Sequence, residues 1–482
     1  MPNPGQSITR TDGNLGLSGT RDDRFLYVGT CSAGVANSLT TFYSSTALRS
    51  ALGSGPVVEA AAWELDTTGR PVDVLVTGSS VTATTSVVTG ASSPAVTVAG
   101  TPGDFYDTIV EVTLGGALGV GRFRYSLDGG QTPSEELTIP AGGTYAIAGT
   151  GLTLTFTTGT YVVGSVYSFS CVPATYGADD LTAAWVTVMA AHDSWPTVVF
   201  TGHAASAAAA ATLAAAIHGL MVQLVNDGRY GRALVSTGEG TEAEILAAWP
   251  SAESVLVAAF AGKARIANGA TIGFRNPLLP YVYEAARRAA AVKISTNPAH
   301  VGFAEDPDNN PLARVSEPSY DARTAGSGLF DAKINCPTTH SGRRISGHPE
   351  VLPNSFLMRS PFGSDYRHWQ WCRVMDVLSA AVQSRQQEWV NGNVETRADG
   401  TGRVDPGAAK GLEAVVLADL DKLLVKPSRD DGKKGHITGK PVYKIDLTND
   451  VLRTGVLRST AKVVPLANVE LLETKLGFAT EI

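Results

Sequence analysis

Pro441-Val-Tyr-Lys-Ile-Asp-Leu-Thr448 and Gly455-Val-Leu-Arg-Ser-Thr-Ala-Lys-Val-Val-Pro465 are two runs of β-type residues late in the chain, and Val469-Glu-Leu-Leu-Glu-Thr-Lys-Leu476 is a third. Two long helical stretches, 363–390 and 406–425, precede them. A strand that ends a chain leaves one edge of N–H and C=O groups unpaired, and such an edge pairs readily with another subunit. The pattern therefore predicts an α+β unit that assembles by exchanging strands.

The opposite end of the chain has a different composition. Pro2-Asn-Pro-Gly-Gln6 and Thr11-Asp-Gly-Asn-Leu-Gly16 are rich in Gly, Pro and polar residues, so they offer no apolar face to bury. We therefore expect residues 1–22 to form an extended arm. With residues 467–482 as a second arm, this pattern indicates a subunit that binds its neighbours through both ends of its chain.

Composition argues against several functional classes. The chain has 482 residues, enough for about two to four domains. Hydrophobic residues make up 43% and charged residues only 17%, which is typical of a surface covered by large subunit interfaces. A net charge of −7, spread along the chain, predicts no nucleic-acid partner. We also expect no membrane anchor, because the most apolar segment, 204–225, is predicted to be a helix packed against a sheet.

The four cysteines, Cys31, Cys171, Cys336 and Cys372, lie far apart and form no CxxC pair. Their spacing does not match a metal site, so we predict four reduced or buried thiols in a protein made in the cytoplasm. The chain opens without a basic segment followed by an apolar stretch, and we therefore predict no secretory signal.

Apolar strands and helices alternate over residues 23–77 and again over 174–300, which is typical of a parallel sheet covered by helices. Residues 78–173 read only as strands, with turns such as Leu127-Asp-Gly-Gly130, and predict a β-sandwich or barrel inserted into the α/β core. The predicted class is multidomain α/β plus all-β. The predicted domains are a 1–22 arm, a core of 23–77 and 174–300, an all-β insert of 78–173, a long irregular connection of 301–360, an α+β C-terminal domain of 361–466, and a 467–482 arm.

No motif indicates catalysis or cofactor binding once its context is considered. Gly116-Ala-Leu-Gly-Val-Gly121 lies between strands and precedes no helix, as a dinucleotide site would require. Gly238-Glu-Gly240 carries an acid that would repel a phosphate. Asp306-Pro-Asp-Asn-Asn310 lacks the Gly and the distant Glu of a calcium loop, and His192-Asp-Ser194 is better explained as a helix end. We predict no catalytic residue, no cofactor and no metal.

Several segments resemble one known family. Leu48-Arg-Ser-Ala-Leu-Gly-Ser-Gly-Pro-Val-Val58 is similar to its early helix and Gly-Pro turn. The run from Phe105 to Thr132 and the run from Gly151 to Gly164 are similar to a β-rich repeat of sheath-like phage proteins. Asn449-Asp450, followed by Gly455-Val-Leu-Arg-Ser, is similar to the end of the chain in that family. The sequence thus resembles the tail sheath proteins of contractile-tailed phages and contractile injection systems.

This resemblance implies a structural subunit and not an enzyme. Such a subunit polymerises helically around a tail tube and contracts, which drives the tube through the host envelope during genome delivery. The implied partners are further copies of the chain, the tail tube protein, and the baseplate and tail terminator proteins. The implied location is the tail of a virion assembled in the host cytoplasm. Two alternatives stay open: another tail or baseplate protein, and a carbohydrate-active enzyme or adhesin with a β-sandwich module.

Interface residues are predicted on two elements. A strand at the end of the chain would contribute Val469, Leu471, Leu472 and Leu476 to a neighbouring subunit. The helix 406–425 carries charges on an otherwise apolar sequence and is predicted to face the tube through a small polar contact, with Glu413 and Asp421 as its acids.

Overall fold

The structure is a computed structural model of the full chain. It describes residues 24–90, 94–191, 193–202, 204–249, 253–266, 279–300, 312–316, 328–339, 351–353, 355–361, 363–425 and 435–467. These residues fall into two compact units. The first holds the described residues up to Val292 and those from Pro298 to Arg367, and the second holds Lys293–Asn297 and the described residues from His368 onward. The second unit thus begins slightly after the predicted boundary at residue 361.

Helices and strands are numbered in chain order. The helices are α1 Ser45–Leu52, α2 Pro56–Thr68, α3 Ala178–Ala190, α4 Ala207–Asn226, α5 Glu242–Ala248, α6 Val282–Ala291, α7 Trp369–Gln387, α8 Pro406–Leu420 and α9 Val451–Thr454. The strands are β1 Leu26–Gly29, β2 Leu39–Phe42, β3 Val72–Val76, β4 Thr84–Thr85, β5 Thr89–Gly90, β6 Val96–Gly100, β7 Tyr106–Leu114, β8 Arg122–Ser126, β9 Leu137–Thr138, β10 Thr144–Ile147, β11 Leu152–Phe156, β12 Val166–Val172, β13 Thr197–Phe200, β14 Arg232–Ser236, β15 Val257–Phe260, β16 Lys263–Ile266, β17 Leu279–Pro280, β18 Leu312–Ser316, β19 Ile334–Asn335, β20 Pro337–Thr339, β21 Val351–Pro353, β22 Val442–Ile445 and β23 Ser459–Lys462.

The first unit is built on a seven-stranded sheet of order β19-β15-β14-β13-β1-β3-β2. All neighbouring strands pair in parallel except β2, which is antiparallel to β3. Every residue of β1, β3, β13 and β15 is buried, as expected where helices cover both faces of a parallel sheet. This arrangement confirms the predicted mixed α/β class.

Alternate residues of β1 show which helices lie on each face of the sheet. Leu26 and Val28 belong to the core cluster that α3, α4 and α5 complete. Tyr27, which points to the opposite face, contacts α2 through a hydrogen bond to Glu64. In the described part of the chain, α4 is the one helix long and apolar enough to cross a membrane by length and composition. Its buried residues recur at helical spacing from Ala207 to Leu224 in the same core, which confirms the predicted packing against a sheet.

Strands β4 to β12 lie between β3 and α3 and form two antiparallel sheets around their own core. One has the order β10-β11-β6, and the other runs β4-β12-β7-β8-β9 with β5 added on β12. Inward residues alternate with exposed ones, most clearly along β7, as sequence alternation predicts. The two ends of this segment meet, since Val81 N donates to Thr175 O at 2.9 Å and Thr175 N donates to Val81 O at 3.0 Å.

The predicted irregular connection, 301–360, contains strands that sequence patterns missed. β18 pairs with β16, β20 pairs with β21, and β19 extends the main sheet in parallel with β15. The prediction failed for β19 because a strand of two residues is too short to show a period of two. The acidic loop Asp306–Asn310 of this connection lies outside the described residues.

A buried carboxyl group links α2 to β1 of the sheet. Glu64 is fully buried, and Tyr27 Oη donates to Glu64 Oε2 at 2.5 Å. Glu64 Oε1 has no hydrogen-bond partner among the described residues. Burial raises the pKa of Glu64 to about 8. The folded protein therefore holds this proton over a pH range where the unfolded chain, with an ordinary carboxyl pKa of about 4.3, has lost it.

Because the folded state binds the extra proton between these two pKa values, stability should fall as pH rises from about 5 to 8. The expected slope is at most about 1.4 kcal/mol of unfolding free energy per pH unit. Glu64→Gln should remove this slope, since the amide carries no titrating proton. Asp66→Asn, at an exposed position of the same helix, is the matched control and should keep it. Denaturant unfolding at several pH values measures both; equal slopes in the two variants would contradict the prediction.

Val81 and Thr175, which flank residues 82–174, are hydrogen-bonded to each other, so we expect residues 82–174 to be a removable insert. Replacing these residues with a short Gly/Ser linker should leave the seven-stranded sheet folded. Some stability should be lost, because Asp104 and Phe105, both buried, are removed with the insert. Far-ultraviolet dichroism and a cooperative thermal transition would report the outcome. An unfolded product would mean that the insert shares a core with the sheet.

Candidate functional site

The usual ligand crevice of an open α/β sheet lies where strand order reverses, at the carboxyl ends of the strands. In this chain the reversal falls between β1 and β13. Thr201 Oγ1 donates to Val28 O there at 2.9 Å, and a Cβ added to Gly29 would lie 2.1 Å from Thr201 Oγ1. Thr30 Oγ1 also donates to Ala174 O, on the segment that returns from the inserted strands. At the point of reversal itself, the space is therefore occupied by contacts within the chain.

The other sequence candidates for binding have structural roles. Gly116–Gly121 forms the turn between β7 and β8, and Glu239 of the Gly238–Gly240 loop pairs with Lys263. His192 lies outside the described residues. Within the ranges described, no three His, Cys, Asp or Glu side chains come together as metal ligands would. None of the four cysteines forms a disulfide, three of them are buried, and burial raises the pKa of Cys171 to about 11, which opposes its use as a nucleophile.

The second unit presents a different kind of site, the hairpin of β22 and β23. One face of the hairpin packs on α7 and α8 through Tyr443, Ile445, Ala461 and Val463. The strands pair antiparallel with Tyr443 opposite Ala461, and Asp446 N donates to Arg458 O at 2.8 Å. Hydrogen-bonded and non-hydrogen-bonded residue pairs alternate along two antiparallel strands. The bond between Asp446 and Arg458 therefore determines which residues of β23 direct their backbone N–H and C=O groups away from β22.

That alternation places the N–H and C=O groups of Ser459, Ala461 and Val463 on the edge of β23 away from β22. Among the described residues, none donates to or accepts from these backbone groups. Pro465 follows in the same outward register and has no N–H to offer. The hairpin thus has an open edge, Ser459 to Val463, bounded by a proline.

The opposite edge of the hairpin is closed by α8. Glu413 Oε1 accepts from Ile445 N, which points away from β23, at 2.9 Å. Glu413 Oε2 accepts from Lys444 Nζ at 3.1 Å. Glu413 is only 8% exposed and lies on the buried stripe of α8 with Ala409, Val416 and Leu420. A strand could therefore be added to β23 but not to β22.

Sequence patterns placed Glu413 and Asp421 together as acids that face a tube. Glu413 instead serves the hairpin of its own chain, because a buried backbone N–H requires an acceptor. Asp421 follows the last residue of α8 and begins a π-helical turn, Asp421–Val425, where it is half-buried. Val469, Leu471, Leu472 and Leu476 lie outside the described residues, and their role stays a prediction.

The described chain is anchored at each end. Arg24, the first described residue, pairs with Asp73 Oδ1 at 2.9 Å. Asp73 is buried and also accepts from Thr41 Oγ1 at 2.5 Å and Trp195 Nε1 at 2.7 Å. In the second unit, Trp371 Nε1 donates to Leu466 O at 3.0 Å. Residues 1–23 and 468–482 therefore join the described chain at firmly held points.

Sequence reasoning missed these anchors for different reasons. Asp73 lies in an apolar strand, where one acid among valines and leucines is a detectable signal of a buried polar contact. Trp371 lies in the predicted helical stretch 363–390, but its partner is a carbonyl oxygen far along the chain, which side-chain periodicity does not reveal.

The Glu413 contact predicts a measurable loss. Glu413→Ala should reduce the unfolding free energy of the second unit by about 2 kcal/mol, because Ile445 N loses a charged acceptor in a buried place. Lys444→Met is the matched control and should change it by less than about 0.5 kcal/mol, since the Lys444 side chain is 69% exposed. Hydrogen exchange at the amide of Ile445 measures the local loss of protection. Equal protection in the two variants would show that Glu413 does not close this edge.

Comparison with known proteins shows similarity to solved structures. No family model matches the chain, and no curated protein matches it. A solved sheath tail protein from Listeria innocua is similar at 11% identity and a TM-score of 0.44, over 92% of this chain and 94% of that one. A sheath tail protein from Desulfitobacterium hafniense is similar at 12% identity and a TM-score of 0.44, over 96% and 100% of the two chains. At this identity and TM-score neither likeness assigns a function. Both structures carry the name of the family that the sequence resembles.

Proposed function

We propose that this chain is the structural subunit of a contractile tail sheath, which polymerises helically around a tail tube. The observation that carries the proposal is the open edge of β23 beside the closed edge of β22. A single open edge accepts one added strand, and it does so through main-chain hydrogen bonds. The sequence resemblance in the helix and Gly-Pro turn of residues 48–58 supports the same family.

The proposed donor is residues 469–476 of a second copy, whose β-type sequence fits strand addition. A contact in which each copy gives a strand to the next is heterologous, and it propagates as a helix when its rotation does not close into a ring. Residues 1–22 form the second link to a neighbour.

Contraction follows from the same arrangement. Strands held by main-chain bonds tether neighbouring bodies while those bodies rotate and repack. The extended lattice would be metastable, and its conversion to a better-packed lattice would drive the tube through the host envelope for genome delivery. The proposed partners are the tail tube, the baseplate and the tail terminator, with the virion tail, assembled in host cytoplasm, as the location. Asp421 remains the candidate acid for contact with the tube. No catalytic residue is needed, because interface free energy supplies the work.

Electron microscopy of the purified protein tests this proposal. Striated hollow tubes are the expected result, and sedimentation should show long polymers. Chains lacking residues 1–22 or residues 468–482 should stay folded and form only monomers or short oligomers. Discrete particles from the full chain, or long polymers from both truncated chains, would refute strand exchange.

A pair of proline substitutions isolates the open edge. Ala461→Pro removes an outward N–H and no bond within the hairpin, so it should abolish long polymers with little change in thermal stability. Lys462→Pro, one residue further, removes an N–H that bonds β22 and should destabilise the hairpin itself. Sedimentation velocity and thermal melting distinguish the two effects. Normal polymerisation by Ala461→Pro would show that this edge is not used.

A further inference from the structure

We infer that Trp371 is a positioning residue that directs residues 468–482 away from the open edge of their own chain. This inference rests on the proposed strand exchange and explains why the donated strand would leave its own subunit. The β-type sequence that follows β23 is the segment nearest to that edge along the chain, so it could pair with the edge of its own subunit.

A fold-back within one chain is geometrically ordinary. Only five residues, 464–468, separate the open edge from the β-type run that starts at Val469. Loops of about two to five residues commonly join antiparallel strands, so a three-stranded meander is within reach. A strand tethered so closely competes at an effective concentration in the millimolar range, far above that of a separate copy. Self-pairing would therefore prevail unless the structure opposes it.

The residues that would form the loop are already used in another way. Val464 O accepts from Thr438 N at 2.8 Å, and Pro465 bridges Ile437. These bonds extend β23 along the segment that precedes β22, so the chain continues straight where a fold-back would need a turn. Leu466 is held next, by Trp371.

Trp371 supplies the hydrogen-bond donor that Leu466 O does not receive from the backbone in this extended ladder. By the same alternation, Leu466 O would accept from His436 N, but that N–H donates instead to Leu424 O at 2.7 Å. The indole Nε1 of Trp371 donates to Leu466 O in its place at 3.0 Å.

The indole ring is itself fixed. The His368 ring packs edge-to-face on it with centroids 4.3 Å apart, and Trp371 N donates to His368 O at 3.1 Å. The last held carbonyl thus faces a rigid donor on α7. The described chain thus ends beside α7, and in the proposed assembly the open edge is left to the strand of another copy.

The test uses Trp371→Phe in the full chain, which keeps an aromatic ring beside His368 but removes the N–H donor. Trp389→Phe is the matched control, because Trp389 is a partly buried tryptophan of the same unit. Hydrogen exchange at Ala461 and Val463 is measured in dilute monomer, and polymerisation by sedimentation. Trp371→Phe should shift the balance toward self-pairing by about fivefold, the worth of one hydrogen bond. Edge amides should then exchange more slowly, and polymerisation should need a higher concentration.

Removing residues 468–482 from the Trp371→Phe chain should restore fast exchange. If exchange and polymerisation of Trp371→Phe match those of Trp389→Phe, or if slow exchange persists without residues 468–482, the inference is overturned. A synthetic peptide of residues 468–482, added to a chain ending at Ala467, tests the proposed function separately. Protection of Ala461 by the peptide supports strand exchange whatever Trp371 does. An unprotected edge would refute strand exchange itself, and the role of Trp371 with it.

Discussion

The hydrogen-bonding capacity of the hairpin of β22 and β23 is the constraint on which the proposed strand exchange depends. Each backbone N–H and C=O needs a partner. Among the described residues, the groups of β23 that face β22 have one and those that face away do not. On the other side of the hairpin, a glutamate from α8 supplies the acceptor that a third strand would otherwise provide. The asymmetry between these two edges gives the hairpin a direction: it can be extended on one side only.

The first unit is held together in part by buried polar contacts. Its sheet has the strand-order reversal of many ligand-binding α/β proteins, and at the reversal point Thr201 and the return from the inserted strands make contacts within the chain. Buried polar contacts join strands and helices there and elsewhere in the unit, as at Asp73 and Glu64. Such contacts favour one arrangement of the strands and helices they join.

Much of the fold was predictable because its elements are long or strongly patterned. The alternating strands and helices of the first unit and the antiparallel strands between β3 and α3 agree with the sequence patterns, since buried runs and turns mark them. β19 was missed because two residues carry no period, and β2 because its burial is only partial. The candidate site was predictable as a pair of late strands. Which edge stays open was not, because it depends on the phase of the hydrogen-bond ladder and on Glu413, which looked like a surface charge in sequence.

Pro465 has a mechanical consequence. A guest strand on β23 would be held by bonds perpendicular to its own axis, so tension along the strand loads all of them together, whereas lifting one end breaks them in turn. The proline leaves the last outward position without a donor, which makes the Pro465 end the weak one for peeling. A subunit tethered through this edge would thus resist being pulled lengthwise and yield to a swing that starts at the proline.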